Sequence, residues 1–597
     1  MIILRRGATA LAGVLAVLAL LYLWNIHYAV PQGRGWSAED TRLIQASQYF
    51  WTTLPENYPP GPIRPLPTNA PVKYPRIQFS FPEETPSARM AREERQLAVK
   101  QTFARCWDAY RQHAWLADEL APVSGNRRDT FGGWAATLVD SLDTLWIMGM
   151  QAEFNEAVAA AADIDFTRTD MEIVNVFETN IRYLGGFLSA FDLSGDVRLL
   201  RKAVEVGQML YKAFDTPNRM PVTRWDVHAA MRGEKQVAGG SPVVAELGSF
   251  TMEFTRLSQL TGNPKWFDAA MRIMDAMAAQ QNATRIPGLW PQTADAGKMV
   301  FNDGALFTLG ANADSAYEYL AKMSALTSGQ LGMFQTMYEQ AIDAAVAHNL
   351  FRPMTPRNED ILISGMAHTK KEEGKLIVEL IPQGQHLVCF LGGLVALGSK
   401  LFSRGDDMTI ASKLVDGCVR TYKVFPHGIM PETTMMEPCP SKDSCEWDEI
   451  AWKNGVVSEW KKTAADDGKS TTADEIISKG RLPHGFTAIP DRAYLLRPEA
   501  IESVFVLYRT TGRKDLIESA WDMFQAVNKS TSTEFANSAV FDVTIADEEP
   551  QASDVMESFW MGETLKYYYL AFSEPGVISL DEFVFNTEAH PFRRLVG

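Results

Sequence analysis

Apolar residues at three- and four-residue steps, interrupted by glycines, most constrain what this chain can fold into. Ile173, Phe177, Ile181, Leu184 and Leu188 recur at helical spacing, and Ile501, Val504, Phe505 and Tyr508 do so after Pro498, a favourable first-turn residue. Gly185-Gly186, Gly262-Asn263-Pro264 and Gly512 punctuate these stretches as the turns of repeated hairpins would, while strand-like runs such as Phe583-Val584-Phe585 are short. The pattern predicts an all-α toroid with a small β element at the C-terminus. No Gly/Ser- or Pro-rich break follows residue 95, so residues 96–597 read as one catalytic domain.

Carboxylates sit on these helical faces with Arg, His or Thr beside them, from Phe177-Glu178-Thr179-Asn180-Ile181-Arg182 to Asn586-Thr587-Glu588-Ala589-His590-Pro591. Glu178 and Arg182, four apart, would alone be an ordinary surface ion pair contributing about 0.2–0.5 kcal/mol. Asp314 and Glu318 share a face, and so do Glu499 and Glu502, whose like charges three apart destabilise an isolated helix. The apolar stripe of 499–508 lies away from Glu499, which therefore faces either water or a polar cavity. Acidic groups recurring about once per hairpin imply a carboxylate-lined cavity, which suits sugar hydrolysis. That reaction needs one group to protonate the leaving oxygen and another to activate water or attack carbon. A net charge of -16 argues against nucleic acid, whose phosphates need a basic surface, and points to a neutral partner.

Twenty uncharged residues, 7–26, as a helix span about 30 Å, the thickness of a bilayer's hydrocarbon core. Bulky Leu21, Tyr22, Leu23, Trp24 and Ile26 close the run where a cleaved signal would place small residues. Arg5 and Arg6 precede it and no Lys or Arg follows until Arg34, so residues 1–6 read as a cytosolic tail and the rest as lumenal, type II topology. Residues 27–95, with Pro55, Pro59, Pro60, Pro62, Pro65, Pro67, Pro71 and Pro75, read as an extended, semi-rigid stem. A lumenal domain favours disulfides, and the spacing of Cys106, Cys389, Cys418, Cys439 and Cys445 does not resemble zinc knuckles. Cys389–Cys418 is the first candidate bridge and Cys439–Cys445 the second, leaving Cys106 over. Asn282-Ala283-Thr284 and Asn528-Lys529-Ser530 are glycosylation sequons, usable only in the secretory lumen.

A resemblance sharpens this reading. Its segments are His113-Ala114-Trp115 with Asp118-Glu119-Leu120-Ala121-Pro122, the Thr137–Leu145 run, Phe177–Arg182 with Gly185-Gly186, and Ala245-Glu246-Leu247-Gly248. They continue through Ala313-Asp314-Ser315 with Tyr317–Leu320, His386-Leu387-Val388-Cys389-Phe390, Leu496-Arg497-Pro498-Glu499, Met556-Glu557-Ser558-Phe559 with Glu563–Tyr567, and Asn586–Pro591. In their order, from about Gln101 to Phe592, the chain resembles class I α-1,2-mannosidases, glycoside hydrolase family 47.

The resemblance implies an (α/α)7 barrel whose funnel holds a glycan, with a C-terminal β-hairpin plugging the far end and Ca²⁺ at the base. Thr587 matches the family's one direct protein ligand to calcium, through its hydroxyl and main-chain carbonyl, and hard oxygens suit that ion. Glu502, Glu557, Glu588 and Glu563 match carboxylates that hold the ion's waters. Glu499 matches the general base, Glu178 a general acid and Asp314 a third catalytic carboxylate, with the acid role open between the last two. Inversion requires the acid and base carboxyls about 6.5–9.5 Å apart. Arg182, Glu246, His386 and Arg497, together with Glu502, Glu557 and Glu588, match substrate-binding positions, and Cys389 and Cys418 match the family's disulfide.

The implied reaction is hydrolysis of terminal α-1,2-linked mannose from high-mannose N-glycans of glycoproteins, in the endoplasmic reticulum or Golgi membrane. The alternative is a glycan-binding quality-control factor resembling degradation-enhancing mannosidase-like proteins; Glu178, Asp314, Glu499 and Thr587 favour an enzyme. Two departures stand out. The branch that trims a single mannose in the endoplasmic reticulum carries Arg where this chain has Asn312, and Pro440–Arg481, with Trp447 and Trp460, reads as an inserted solvent loop.

Overall fold

The computed structural model describes residues 48–463 and 471–595. The expected tail 1–6 and membrane span 7–26 lie outside the described residues, among which no helix is long and apolar enough to cross a membrane.

Among the described residues the helices form a closed ring of hairpins. Its inner members are the pair Ala136–Asp140 and Leu142–Ile147, then Thr179–Leu184 running into Gly185–Ser194, Thr251–Thr261, Asp314–Leu326, Phe390–Leu401, Glu499–Thr511, and Trp560–Thr564 running into Leu565–Ala571. Each inner member contacts the next, and Trp560–Thr564 returns to the first pair to close the ring. The outer partners are Gln151–Ala162, Val197–Lys212, Lys265–Gln280, Gly332–His348, Asp407–Val424, Asp515–Thr531 and Pro86–His113. The last of these begins ten residues before position 96, so the barrel starts earlier than the composition shift suggests.

Gly262 and Gly512 end their helices as expected, in the left-handed conformation, with amides bonded back to the Ser258 and Tyr508 carbonyls. Gly185-Gly186 does not make a turn. Both residues lie within a continuous inner helix, where a Cβ on Gly185 would stand 2.7 Å from Asn586 Nδ2 and one on Gly186 2.8 Å from the Val139 carbonyl. Their requirement is close approach of neighbouring chain, which periodicity cannot distinguish from a break.

The C-terminal hairpin pairs Phe583–Phe585 with Pro591–Arg593, and Phe583, Val584, Phe585 and Phe592 are buried. It packs on the inner helices Asp314–Leu326 and Gly185–Ser194, inside the ring. Sheet also occurs in the connections between helices, as in Ile173–Asn175 with Arg224–Asp226 and the three-stranded Gln383–Gln385, Thr433–Met436, Phe486–Asp491. These strands are too short to leave a period-two signal.

The Pro-rich segment is a strap rather than a spacer over its described part. Trp51 is fully buried and its ring lies 5.7 Å from that of Trp225. The Asn57 and Tyr58 amides both bond the Asp215 carboxylate at 2.8 Å, that of Arg64 bonds Asp268 at 2.9 Å, and that of Phe79 bonds the Arg509 carbonyl at 2.7 Å. Extended chain has no internal hydrogen bonds, so its free N–H groups are taken up by acceptors on the barrel. The 440–481 insertion is likewise ordered where described. Helices Glu449–Thr463 and Ala473–Gly480 bury Trp452, Val456 and Ile476 as a small second core, and Trp452 Nε1 donates to the Phe486 carbonyl at 2.8 Å. Cys389–Cys418 and Cys439–Cys445 are disulfides, and Cys106 is a buried thiol.

Candidate active site

Inside the ring, a cleft of about 260 Å³ is lined by Glu178, Arg182, Arg224, Glu246, Asn312, Asp314, Glu318, Arg497, Glu499, Glu502, Phe559, Glu563, Thr587 and Glu588, with a few apolar neighbours. All three carboxylates singled out from sequence therefore meet, with Thr587, in one cavity. The local structure explains how each is presented.

Asn175 caps the turn that carries Glu178, its side-chain oxygen accepting from the Phe177 and Glu178 amides at 3.1 and 3.3 Å. The chain then widens into a π-helix, Thr179–Leu184. Wider turns of this kind recur at functional sites, and the second one, Trp560–Thr564, carries Glu563. Arg182 is buried and saturated. Its Nε bonds Glu178 Oε2 at 2.9 Å, and its Nη1 bonds Glu588 Oε2 at 2.8 Å and Ser558 Oγ at 3.1 Å and lies 3.5 Å from Asp140, while the Phe131 ring covers its face at 4.6 Å. The i,i+4 pair is thus the edge of an internal network rather than a surface contact.

Glu499 opens the helix Glu499–Thr511. His386, wholly buried, stands behind it, with Nδ1 2.9 Å from Glu499 Oε2 and Nε2 2.7 Å from the Tyr422 hydroxyl. Arg497 Nη1 lies 3.7 Å from Glu499 Oε1. Burial favours the neutral acid, but the His386 hydrogen bond and the Arg497 charge outweigh it, so Glu499 is held below the usual carboxylate range. Asp314 is displaced oppositely. Burial dominates, the Ser315 amide offsets it in part, and the charges of Glu318 and Glu499 add to it, pushing the pKa up to about 7. The two carboxyls of one cleft thus have pKa values displaced in opposite directions, the electrostatic pattern that acid/base work by paired carboxyls requires.

At the base, the turn Asn586–Pro591 is fixed from several sides. Asn586 Oδ1 accepts from the Glu588 and His590 amides at 2.9 and 2.8 Å, and its Nδ2 donates to the Ile181 carbonyl and to Glu253 Oε1 at 3.1 and 2.8 Å. His590 Nδ1 lies 2.7 Å from Asp143, whose other oxygen takes Lys566 Nζ at 2.7 Å, and Lys566 also donates to the Ala589 carbonyl at 2.8 Å. These bonds leave Thr587 and Glu588 facing the cleft. Buried acids crowd there. Burial and then the adjacent Glu588 raise Glu563 well above its ordinary pKa; burial raises Glu588 itself to about 8 despite Arg182, and Glu502 to about 7 despite Lys322, 3.2 Å away. Among the described residues no three His, Cys, Asp or Glu side chains converge to ligate an ion directly.

The sequence profile of glycosyl hydrolase family 47 matches residues 102–594. The chain belongs to that family. The α-1,2-mannosidase from Trichoderma reesei superposes with a TM-score of 0.72 at 30% identity, covering 84% of this chain and 99% of that one. Among curated family 47 relatives, the endoplasmic reticulum mannosyl-oligosaccharide 1,2-alpha-mannosidase of Homo sapiens is 33% identical over 500 residues, and a probable mannosyl-oligosaccharide alpha-1,2-mannosidase 1B of Aspergillus niger 32% identical over 517. The match covers 83% of this chain in both cases, and 64% and 91% of those proteins respectively. The strap and the N-terminal residues precede the family match.

Of the family 47 positions expected from sequence, Arg182, Glu246, Arg497, Glu502 and Glu588 line the cleft, and His386 acts on it through Glu499. Glu557 is half-buried beside Glu119 and is not among the residues of the cleft wall, but its charge acts on Arg182 and Arg497, which are; Ser558 and Phe559 of the same motif reach Arg182 and the cavity. Sequence reasoning missed Glu432, whose carboxylate pairs with Arg497 Nε from the residue just before the strand Thr433–Met436, and Arg224, at the head of the strand Arg224–Asp226. Neither belongs to a helical periodicity that could have exposed it.

Proposed function

We propose that this family 47 chain hydrolyses terminal α-1,2-linked mannose from high-mannose N-glycans of glycoproteins, with inversion at the anomeric carbon. One observation carries the reading: Glu178, Asp314, Glu499 and Thr587, drawn from four distant segments, face one cleft in which the pKa values of Asp314 and Glu499 are displaced in opposite directions. Glu499, ionised and oriented by His386, takes the proton of the attacking water. Asp314, still protonated near neutrality, gives its proton to the departing glycosidic oxygen. Glu178, pinned on Arg182, orients the sugar and the water on that side. As acid and base in the forward step, the two carboxyls end the turnover with their protonation states exchanged, and solvent restores them.

Ca²⁺ fits the base of the cleft. The donors there are hard oxygens: Thr587 would hold the ion and Glu502, Glu563 and Glu588 would hold its waters, and the ion would offset the crowding of these buried acids, whose pKa values burial and mutual charge raise. When bound, the ion would hold sugar hydroxyls and help to set the ring's conformation.

Residues 7–26 support a single-pass, type II anchor in the endoplasmic reticulum or Golgi membrane, and the two disulfides suit the lumen. Purified lumenal chain with Ca²⁺ and a nine-mannose glycan is expected to release mannose as the β-anomer in the first instance, read by NMR. Binding without release would replace the enzyme by a glycan-binding factor; release as the α-anomer would refute the acid/base pair.

A further inference from the structure

We propose that Arg224 is a specificity-determining residue that binds the sugars beyond the two flanking the scissile bond, deepening the mannosidase reading and resting on it. Three arginines line the cleft. Arg182 is saturated by Glu178, Glu588, Ser558 and Asp140, and Arg497 is held between Glu432 and Glu499. Arg224 differs. Among the described residues its guanidinium meets a single partner, Nη2 lying 2.6 Å from Glu246 Oε1, and its side chain is 63% exposed where that of Glu246 is 5% exposed.

That contact is a meeting of charges more than an aligned bond, since the buried Glu246 Oε1 takes no well-directed hydrogen bond. The result is an acceptor and a fork of unused N–H donors side by side in the cleft wall, a pairing that matches the hydroxyls of a neutral sugar. Only the Arg224 side of this pair is exposed, so its remaining N–H donors are open to a ligand while the buried Glu246 stays in place.

The backbone beneath is fixed. Arg224 opens the strand Arg224–Asp226 and stands opposite Asn175, the residue that caps the Glu178 turn. The next residue, Trp225, is buried against Trp51 of the strap, and the helix bearing Glu246 is tied to the cleft by the Ala245 amide on the Asn312 carbonyl at 3.0 Å. A solvent-open side chain with one partner, on a paired strand beside the Glu178 turn, is placed for the glycan's outer sugars rather than for the bond that breaks.

The test compares the full chain, R224L and R224K on α-1,2-linked mannobiose and on a nine-mannose glycan, with the eight-mannose isomers separated. For R224L, KM on the nine-mannose glycan rises about tenfold, the loss expected of one hydrogen bond to a charged group. The loss falls on KM rather than kcat, the KM on mannobiose is unchanged, the isomer ratio changes, and R224K recovers part of the loss. Equal factors on both substrates, or an R224L indistinguishable from wild type on the large glycan, overturns the assignment while leaving the mannosidase reading intact. A wild-type chain that releases mannose from neither substrate overturns both.

Discussion

Replacing Asp314 by Asn should make the protein inactive and more stable at once, because the same burial that keeps its proton in place disfavours the charged form. Its pKa moves from 3.8 to about 7 on folding, and a difference of about 3 units at ~1.36 kcal/mol each is ~4 kcal/mol of stability forgone once the carboxyl must ionise. Solvent screening in the open cleft reduces this, so about 2–4 kcal/mol is the working range. The sign follows from proton counting. Between pH 3.8 and about 7 the native state holds a proton that the unfolded state has lost, so this group's contribution falls as pH rises through that window and is level above it. Asn carries no such penalty at any pH. With unfolding entropy of about 2.1 cal/mol/K per residue over a barrel of this size, the gain corresponds to a rise of about 2–4 °C in Tm at pH 8, shrinking toward zero near pH 4. The assay is differential scanning at a fixed rate across pH 4–8, paired with mannose release, which should fall about 10²–10⁴-fold for loss of a positioned acid. An Asp314→Asn protein that melts with wild type at pH 8, or that keeps near-normal release, would refute the assignment of a proton to Asp314.

Glu499→Gln should fold normally yet lose about 10²–10⁴-fold in kcat, the contribution of a positioned base; near-normal turnover would remove it from the chemistry. Chelation by EDTA should abolish mannose release and lower Tm, since an ion bound only to the native state stabilises it by linkage, and an unchanged rate and Tm after verified metal removal would refute the calcium site. Trp51→Ala, which empties a fully buried site against Trp225, should cost about 3–5 kcal/mol in urea denaturation; an unchanged midpoint would show that the strap is not part of the folded unit.

Legibility from sequence followed the range of the physical signal. Helical stripes such as 173–188 and 501–508 depend on neighbours three and four residues away, so the ring's inner helices, the Gly262 and Gly512 turns, and the Glu178–Arg182 pairing could all be read along the chain. The uncharged run 7–26, expected to be a membrane span, lies outside the described residues. The motif resemblance added the converging set Glu178, Asp314, Glu499 and Thr587 and reinforced the Cys389–Cys418 pairing already favoured. Periodicity misread Gly185-Gly186 as a turn.

What the tertiary structure alone decided are properties that belong to pairs of distant groups. The proton on Asp314 depends on burial and on the charges of Glu318 and Glu499; the ionised state of Glu499 depends on His386, 113 residues earlier. The strap became part of the barrel because Asp215, Asp268 and the Arg509 carbonyl offer acceptors to an extended chain that has none of its own. Arg224 entered the cleft because a short strand is paired beside Asn175. Local spacing specifies which faces are apolar and which residue types are available; protonation, orientation and solvent access arise only when the chain closes on itself and sets those residues against partners far away in sequence.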